Sequence, residues 1–343
     1  MWRDLWGRYP AAALCGSRVM KLDVSHQRWE MLAPFITAGE TVTAIDVVHV
    51  TLERDGVVGR AETMGVDYRG ETAETIAAAL QRLDNQLLAK LDRAVCATVL
   101  PPGGARNGLN CALWDLEAKR RSGGIASLVG FGIAPLATLY TLSLDTPEAM
   151  AQRAREVPEL TRLKLKLGPE NTLDCLAAVR AARPDAQLVI DANGSWSPDL
   201  LMRLGDDLAR LNVALLEQPL PDDGDAVLEG LAYPVPLCAD ESCQSSADLE
   251  RQIDRYDAIN IKLDKCGGLT DALVIRDWCH RHDKRVMVGN MLGSSLAMAP
   301  ALVVAQGADF VDLDGPLWQR SDVAAALSIE RGIIAPPPPD LWG

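Results

Sequence analysis

The chain has 343 residues, of which 48% are hydrophobic and 24% are charged, and its formal net charge is −13. This length suits a large core, whereas acidic residues spread along the whole chain are unsuited to binding a nucleic acid or an anionic membrane. No apolar run approaches the roughly 18 residues of a membrane span. Eight cysteines stand singly, without a CxxC pair, which is typical of reduced thiols. We therefore expect a cytoplasmic protein that acts on a small molecule.

The first part of the chain differs in pattern from the rest. We expect residues 1–20 to be a disordered extension, with Met20 as the native start. The run "TAIDVVHVTLERDGVVGRAET" alternates apolar and polar residues and predicts an antiparallel hairpin that turns at Asp55-Gly56. Helical periodicity follows in two segments, residues 72–97 and 106–120. Residues 21–125 are therefore predicted to form an α+β domain.

Short β-rich runs recur from about residue 136 onward, and most of the segments between them have helical patterns. Eight strand-plus-helix units in succession predict an α/β fold, a TIM-type barrel over residues 126–315. An open doubly wound α/β sheet shares this alternation and remains an alternative. The proline-rich tail, residues 316–343, is expected to pack back over the first domain.

Carboxylates stand at the ends of three successive predicted strands. The third strand ends in Asp191, the fourth in Glu217 and the fifth in Asp240. Barrel active sites are built at the carboxyl ends of the strands, so these acids should converge and repel one another. A hard divalent cation with oxygen ligands, most simply Mg²⁺, would relieve that repulsion. Histidine and cysteine are absent from these positions, which disfavours zinc.

Lysines stand on two further strands. Strand side chains alternate between faces, so Lys164 and Lys166 in "TRLKLKLG" point the same way, and Lys262 ends the sixth strand. Strands two and six lie on opposite sides of an eight-stranded barrel. Two adjacent lysines near a cation should lower one another's pKa toward the range of a general base. The alternative is that they only neutralise the acids.

These groups together suit proton transfer at a carbon next to a carboxylate. A bound metal would hold the carboxylate and stabilise the enediolate that forms when the neighbouring carbon loses its proton. A base on one face and an acid on the other can invert the configuration. We therefore predict racemisation or epimerisation by 1,1-proton transfer.

In its motifs the sequence resembles the enolase superfamily, specifically its muconate-lactonising-enzyme-like subgroup. The similarity runs from about residue 21 and rests on "NGLNCALWDLEAKRR", "KLKLG", "DANGSW", "EQPL", "ADES" and "IKLDKCGGL". It implies a (β/α)7β barrel with an N-terminal α+β capping domain, completed by the tail. It also implies Lys166 and Lys262 as the acid/base catalysts and Lys164 as a tuning partner. The implied ligands of one Mg²⁺ per subunit are Asp191, Glu217 and Asp240.

The last strand discriminates within the subgroup. "DFVDLDGP" resembles the Asp-x-Asp element of dipeptide epimerases, in which two acids, here Asp312 and Asp314, bind the α-ammonium of a dipeptide. The resemblance further implies that Thr141 lies in the pocket, together with Met291 and Gly293 of "GNMLGSS". Activities of the same superfamily remain open as alternatives: an N-acylamino-acid racemase, an o-succinylbenzoate synthase or a muconate-type cycloisomerase. So do a metal-dependent aldolase and a catalytically silent binding barrel.

One departure from the family pattern concerns the substrate side chain. Alanine-glutamate epimerases carry an arginine on a loop of the capping domain, whereas "PFITAGETV" has Glu40 there. An acid would repel a glutamate side chain, so we expect a dipeptide with a neutral or cationic second residue. By family analogy the protein should be a homo-oligomer.

Overall fold

The computed structural model describes residues 20–343, so residues 1–19 of the expected extension lie outside the described residues. The described chain begins with a three-stranded antiparallel sheet in the order β1-β2-β3: β1 (Lys21–Ile36), β2 (Thr41–Arg54) and β3 (Val57–Thr63). Asp55 and Gly56 both have positive φ, 55° and 81°, which is the geometry of a type I′ hairpin turn. The predicted hairpin is confirmed. Strand β1 was missed, because much of it is exposed and its apolar residues follow no continuous alternation.

Short helices follow the sheet, in place of the continuous helix predicted over residues 72–97. Asp84 and Asp92 each accept a hydrogen bond from the backbone N–H three residues later, which begins a new helix at each position. The helices of this domain are α1 (Ala73–Gln81), α2 (Asn85–Lys90), α3 (Arg93–Val99), α4 (Gly104–Lys119) and α5 (Gly124–Val129).

Eight parallel strands then form one curled sheet in which spatial order equals chain order. The backbone N–H of Leu139 donates to the carbonyl of Val311 (2.7 Å) and joins the first and last strands. Strict chain order has no switch point and excludes the doubly wound alternative. The strands are β5 (Tyr140–Leu142), β6 (Arg162–Lys166), β7 (Gln187–Asp191), β8 (Val213–Glu217), β9 (Leu237–Ala239), β10 (Ala258–Ile261), β11 (Arg285–Val288) and β12 (Phe310–Val311).

Helices cover the outside of this barrel unevenly. The β8–β9 connection contains only a 3₁₀ turn, Asp225–Leu228, where a helix was expected, because residues 219–236 are rich in proline and glycine. The helices are α6 (Pro147–Glu156), α7 (Thr172–Ala182), α8 (Pro198–Arg210), α9 (Leu249–Gln252), α10 (Leu263–Cys266), α11 (Leu269–Arg281) and α12 (Ser295–Val304). A small antiparallel sheet comprises β4 (Leu136–Ala137), β13 (Ile329–Glu330) and β14 (Ile333–Ile334). Within residues 20–343, no helix has both the length and the apolar character needed to cross a membrane.

The C-terminal tail lies against helix α4 of the first domain. The indole N–H of Trp342 donates to the Cys111 carbonyl (3.2 Å), and the backbone N–H of Gly343 donates to Oδ1 of Asp115 (2.7 Å). Asp115 is fully buried and also accepts from the backbone N–H of Arg60 on β3. One buried carboxylate therefore joins the tail, α4 and the sheet.

Strand β3 crosses α4 at a distance that leaves no room for a side chain. A Cβ on Gly59 would lie 2.2 Å from the Ala112 carbonyl oxygen and 2.6 Å from the Leu116 nitrogen. Backbone atoms of a packed helix cannot give way cheaply.

We expect Gly59→Ala to lower the free energy of unfolding by about 1–3 kcal/mol, because β3 must move away from α4. Urea denaturation of the full chain measures this. Gly132→Ala is the matched control, since no heavy atom lies within 4 Å of its added Cβ, and its effect should stay within about 0.5 kcal/mol. Equal effects of the two substitutions would contradict the close packing.

Candidate active site

The charged groups of the barrel mouth lie directly above an apolar layer. One residue from most strands contributes to a buried cluster inside the barrel, which comprises Leu139, Val189, Leu215, Cys238, Ala258, Met287 and Phe310. Two positions further along the chain, and therefore on the same face, come Asp191, Glu217, Asp240, Asn260 and Asp312. The period of the strands thus places the polar groups in one layer at the carboxyl ends.

Lys164 forms the centre of this layer. Its Nζ lies 2.8 Å from Glu217, 3.0 Å from Asp191 and 2.7 Å from Asp312. Lys166, two residues later, reaches Oδ2 of Asp191 at 2.6 Å and Oδ1 of Asn193 at 3.1 Å. Both lysines are at least 90% buried, so the interactions are little screened by solvent.

A second pair of lysines holds the acid of the fifth strand. Nζ of Lys262 lies 2.6 Å from one carboxylate oxygen of Asp240, and Nζ of Lys265 lies 2.6 Å from the other. Lys265 also donates to the backbone carbonyls of Asp240 and Asn260. The predicted Lys262 therefore approaches the acids from the sixth strand, across the barrel from Lys166 on the second. Sequence reasoning assigned no role to Lys265, although the KxxK spacing places both lysines on one helical turn.

The pKa values follow from burial and from the nearest opposite charges. Burial tends to raise the pKa of Asp191 and Asp240, but their lysine neighbours outweigh it and lower both. Burial and the charge of Asp191 raise the pKa of Glu217 to about 8. Its Oε2 lies 2.8 Å from Lys164 without the geometry of a hydrogen bond. Glu217 is thus the acid with the least compensation.

Carboxylates set the lysine pKa values in the arrangement that the structure describes, and the lowering expected for neighbouring lysines near a bound cation stays a prediction. Burial does lower the pKa of Lys164, but the carboxylates of Asp191, Asp312 and Glu217 outweigh it, and the pKa lies well above its usual value. Burial also lowers the pKa of Lys262, and Asp240 and Glu217 reverse the shift. In the arrangement that the structure shows, opposite charges dominate over like charges.

The donor set of the three strand-end acids fits a hard cation. Asp191, Glu217 and Asp240 offer only oxygen and are at most 1% exposed, and Oε2 of Glu217 has no hydrogen-bond partner. Within residues 20–343 no three or more His, Cys, Asp or Glu side chains already converge as a metal cage. Lysine amines instead lie between the acids. A divalent cation bound by these acids would have to displace the lysine amines that now contact them.

Asp312 and Asp314 lie beside this centre, at the end of the last strand. Oδ2 of Asp312 accepts from Lys164, while Oδ1 is buried without a hydrogen-bond partner. Oδ2 of Asp314 accepts from the backbone N–H of Thr141 (2.7 Å) and the indole of Trp318 (3.2 Å). Burial and the charge of Asp312 raise the pKa of Asp314 to about 6. The pair offers acceptor capacity suited to a cation.

A cavity of about 850 Å³ lies between the barrel mouth and the first domain. Of the predicted site residues, the ones that line it are Glu40, Thr141, Lys164, Lys166, Lys262, Met291, Asp312 and Asp314. The lining does not include Asp191, Glu217 and Asp240, which are buried beneath it. It also does not include Gly293, which packs against Glu62 and Met298. Met291 of the same segment lines the cavity, and the sequence could not show where the segment turns inward. Asn193, Tyr68, Arg69 and Glu241 also line the cavity and were missed.

The fold and the site together define a barrel enzyme whose polar mouth is covered by an α+β capping domain. Two family models match the chain: the mandelate racemase/muconate lactonizing enzyme N-terminal domain over residues 19–130, and the enolase C-terminal domain-like family over residues 148–339. The chain therefore belongs to the mandelate racemase/muconate lactonizing enzyme group of the enolase superfamily. The predicted fold class and the resemblance are confirmed.

Three similar proteins show which activities occur among the relatives of this chain. The L-Ala-D/L-Glu epimerase of Escherichia coli K12 is 38% identical, covering 90% of this chain and 97% of its own. An N-acetyl-D-glutamate racemase of a Pseudoalteromonas species is 37% identical over 83% of this chain and 91% of its own. A solved enolase family member of Agrobacterium tumefaciens with homology to dipeptide epimerases is 41% identical, with a TM-score of 0.91, covering 94% of this chain and 100% of its own. Epimerases and racemases are isomerases.

Solved structures also bear on the cofactor. The Agrobacterium protein holds sodium and L-Ala-L-Glu with an ordered loop. A dipeptide epimerase of Enterococcus faecalis, 25% identical with a TM-score of 0.85 over 93% of this chain and 97% of its own, holds magnesium and L-Leu-L-Tyr. The family is magnesium-dependent, in agreement with the oxygen donors of this site.

We expect Lys164→Met to lower the free energy of unfolding by roughly 3–5 kcal/mol without divalent metal, because it leaves three buried carboxylates without their shared cation. Urea denaturation in the presence of a chelator measures this. Lys166→Met is the matched control and should cost less, since Lys166 contacts only Asp191 among the carboxylates. If Lys166→Met lowers the free energy of unfolding by as much as Lys164→Met, the charge balance does not depend on the contact of Lys164 with three carboxylates.

Proposed function

We propose that this protein is a magnesium-dependent dipeptide epimerase that inverts the α-carbon of the C-terminal residue. The observation that carries the proposal is the approach of Lys166 and Lys262 from opposite strands to one set of acids, beside the paired carboxylates of Asp312 and Asp314. A binding protein has no need of opposed bases. An aldolase would need the acids but not lysines on both faces.

The two lysines would exchange roles with substrate handedness. A neutral Lys166 or Lys262 removes the α-proton from its own face, and the protonated partner returns a proton to the opposite face. Lys164, which also contacts Asp312 outside the three strand-end acids, supplies a positive charge next to the reacting carboxylate. Asn193 accepts from Lys166 and so orients that amine.

We assign Asp191, Glu217 and Asp240 as the residues that would hold Mg²⁺. When bound, the cation would fix the substrate carboxylate and stabilise the negative charge that develops there. It would also replace the lysines as the counter-charge of the acids, which lowers the lysine pKa values by like-charge repulsion. Asn260 donates to Oε1 of Glu217 (2.7 Å) and Lys265 holds Asp240, so both acids are oriented in advance.

The end of the substrate that lies beside Asp312 and Asp314 should carry a positive charge. A free α-ammonium could donate hydrogen bonds to Oδ1 of Asp312, which has no partner, and to the neighbouring carboxylate of Asp314. An acylated amine would present no charge there. The racemase of Pseudoalteromonas nevertheless keeps N-acylamino-acid racemisation as the second candidate, because the proton-transfer groups would serve both reactions equally.

Three broader proposals accompany this function. Contacts of Trp342 and Gly343 with α4 support a capping domain of residues 21–125 completed by 316–343, with the barrel over 126–315. The singly placed cysteines support a cytoplasmic location. Assembly into a homo-oligomer is proposed by family analogy alone.

The decisive experiment is proton NMR in D₂O with Mg²⁺ and pooled L,L-dipeptides. We expect the α-proton of the C-terminal residue to exchange and new diastereomer peaks to appear. Lys166→Ala and Lys262→Ala should each lower epimerisation by at least about 10²-fold, because each removes a proton-transfer group.

Lys90→Ala, at the exposed end of α2, is the matched control and should leave the rate unchanged. Exchange with N-acylated amino acids but with no dipeptide would replace the epimerase with the racemase. Full activity of both active-site variants would exclude the two-lysine mechanism.

The capping domain supplies the wall that would face the substrate side chain. Glu40 lies in the turn between β1 and β2, where Thr37 Oγ1 accepts from the backbone N–H groups of Gly39 and Glu40. Burial and the negative charge of Asp67 raise the pKa of Glu40. Arg69, on the same side, pairs with Asp222 at 2.8 Å. This wall supports a dipeptide whose second residue is neutral or cationic.

Glu40→Arg should raise kcat/KM for L-Ala-L-Glu by at least about fivefold, because attraction replaces repulsion at a partly exposed position. Glu40→Gln, which only removes the charge, should give an intermediate gain. Steady-state polarimetry on both variants measures the effect. An unchanged kcat/KM in Glu40→Arg would show that this turn does not face the substrate side chain.

A further inference from the structure

Glu62, a buried carboxylate outside the barrel mouth, joins the capping sheet to the barrel. Glu62 on β3 is 3% exposed. Its Oε2 lies 3.0 Å from the indole nitrogen of Trp29 on β1 and 2.7 Å from Nε2 of His49 on β2. All three strands of the sheet therefore converge on this one side chain.

The same carboxylate holds the start of helix α12. The backbone N–H of Ser294 donates to Oε1 of Glu62 (2.6 Å), and the Ser294 hydroxyl donates to Oε2 (2.7 Å). Ser294 is the N-cap of α12, so the carboxylate also lies at the positive end of the helix dipole. A Cβ on Gly293 would lie 3.1 Å from Oε1 and 2.9 Å from Cβ of Ala297, which explains the glycine at this position.

The segment that Glu62 holds continues directly into the cavity wall. Asn290, Met291 and Leu292 line the cavity. The side-chain amide of Asn290 donates to the backbone carbonyl of Asp312. The position of residues 289–294 is therefore coupled to the segment that carries Asp312.

Helix capping alone does not account for Glu62, because α12 has a second carboxylate at its start. Asp322 accepts from the backbone N–H of the next residue, Ser295 (2.9 Å), and from its hydroxyl (2.5 Å). Asp322 belongs to neither the capping sheet nor the cavity lining. Two carboxylates thus hold the start of α12. Of these two, Glu62 is the one that belongs to the capping sheet, which carries the turn with Glu40.

We propose that Glu62 is a positioning residue that fixes the capping sheet and the 289–294 segment in one arrangement, so that both walls of the dipeptide site are set together. The proposal rests on the dipeptide epimerase function. Glu62 contacts no reacting atom; it acts through Ser294 on substrate binding rather than on proton transfer.

Glu62→Gln is the variant of choice because it retains the volume of the side chain. The amide can accept with one atom only, so a donor, the indole of Trp29 or a group of Ser294, must face an N–H₂ group. We expect KM for the dipeptide to rise by about tenfold, with kcat within about threefold, because a misplaced wall weakens binding. Amide hydrogen exchange of residues 289–294 should accelerate by at least about tenfold.

Asp322→Asn is the matched control at the same helix terminus. It should lower the melting temperature of the full-length protein as Glu62→Gln does, but leave KM and the exchange of residues 289–294 unchanged. Gly293→Ala perturbs the contact from the other side and should reproduce the rise in KM if Glu62→Gln fails to fold.

The inference is wrong if Glu62→Gln, or Gly293→Ala in its place, leaves KM and amide exchange at wild-type values. It is equally wrong if Asp322→Asn raises KM to the same extent, since the effect would then be general loss of the helix start. Absence of epimerisation in the wild-type protein would instead overturn the proposed function, and the amide exchange would still show whether Glu62 holds the segment.

Discussion

The balance of buried charge at the barrel mouth governs the structure around it. Lys164 alone contacts three carboxylates, and Asp240 is shared by two further lysines. Removing either the lysines or the carboxylates would leave unpaired charges in a low-dielectric interior, at a cost of several kcal/mol. In the function proposed above, a divalent cation would replace lysine amines as the counter-charge of these acids. The proposed metal binding and proton transfer would therefore depend on one shared set of charges.

Rigid elements hold these charges in place. Each acid follows an apolar residue of the barrel interior by two positions, so the core that stabilises the strands also fixes the height of the charged layer. The capping domain contributes less regular walls, and Glu62 connects them to the barrel. A site built in this way permits the walls to vary in sequence while the charged layer stays unchanged.

Much of this arrangement could be predicted, because strand alternation and strand ends can be read from sequence. That rule alone predicted the shared location of Asp191, Glu217, Asp240 and the three predicted lysines. The pKa shift of Lys164 could not be predicted, since alternation shows a neighbouring lysine but not the carboxylates of three other strands. Gly293 and Glu62 depend on the direction of a turn and on a contact between domains, and local sequence contains neither. Strand β1 was missed because a mostly exposed strand has no strong apolar period.

The contact of the tail with α4 affects the order in which the molecule can mature on the ribosome. Asp115 lies in a helix synthesised early, yet one of its partners, Gly343, follows 228 residues later. Until then Asp115 and Cys111 each lack one hydrogen-bond partner, and the indole of Trp342 has not covered that side of the helix. Helix α4 thus gains these contacts only after the whole barrel has been made, which sets the nascent capping domain apart from one that folds independently.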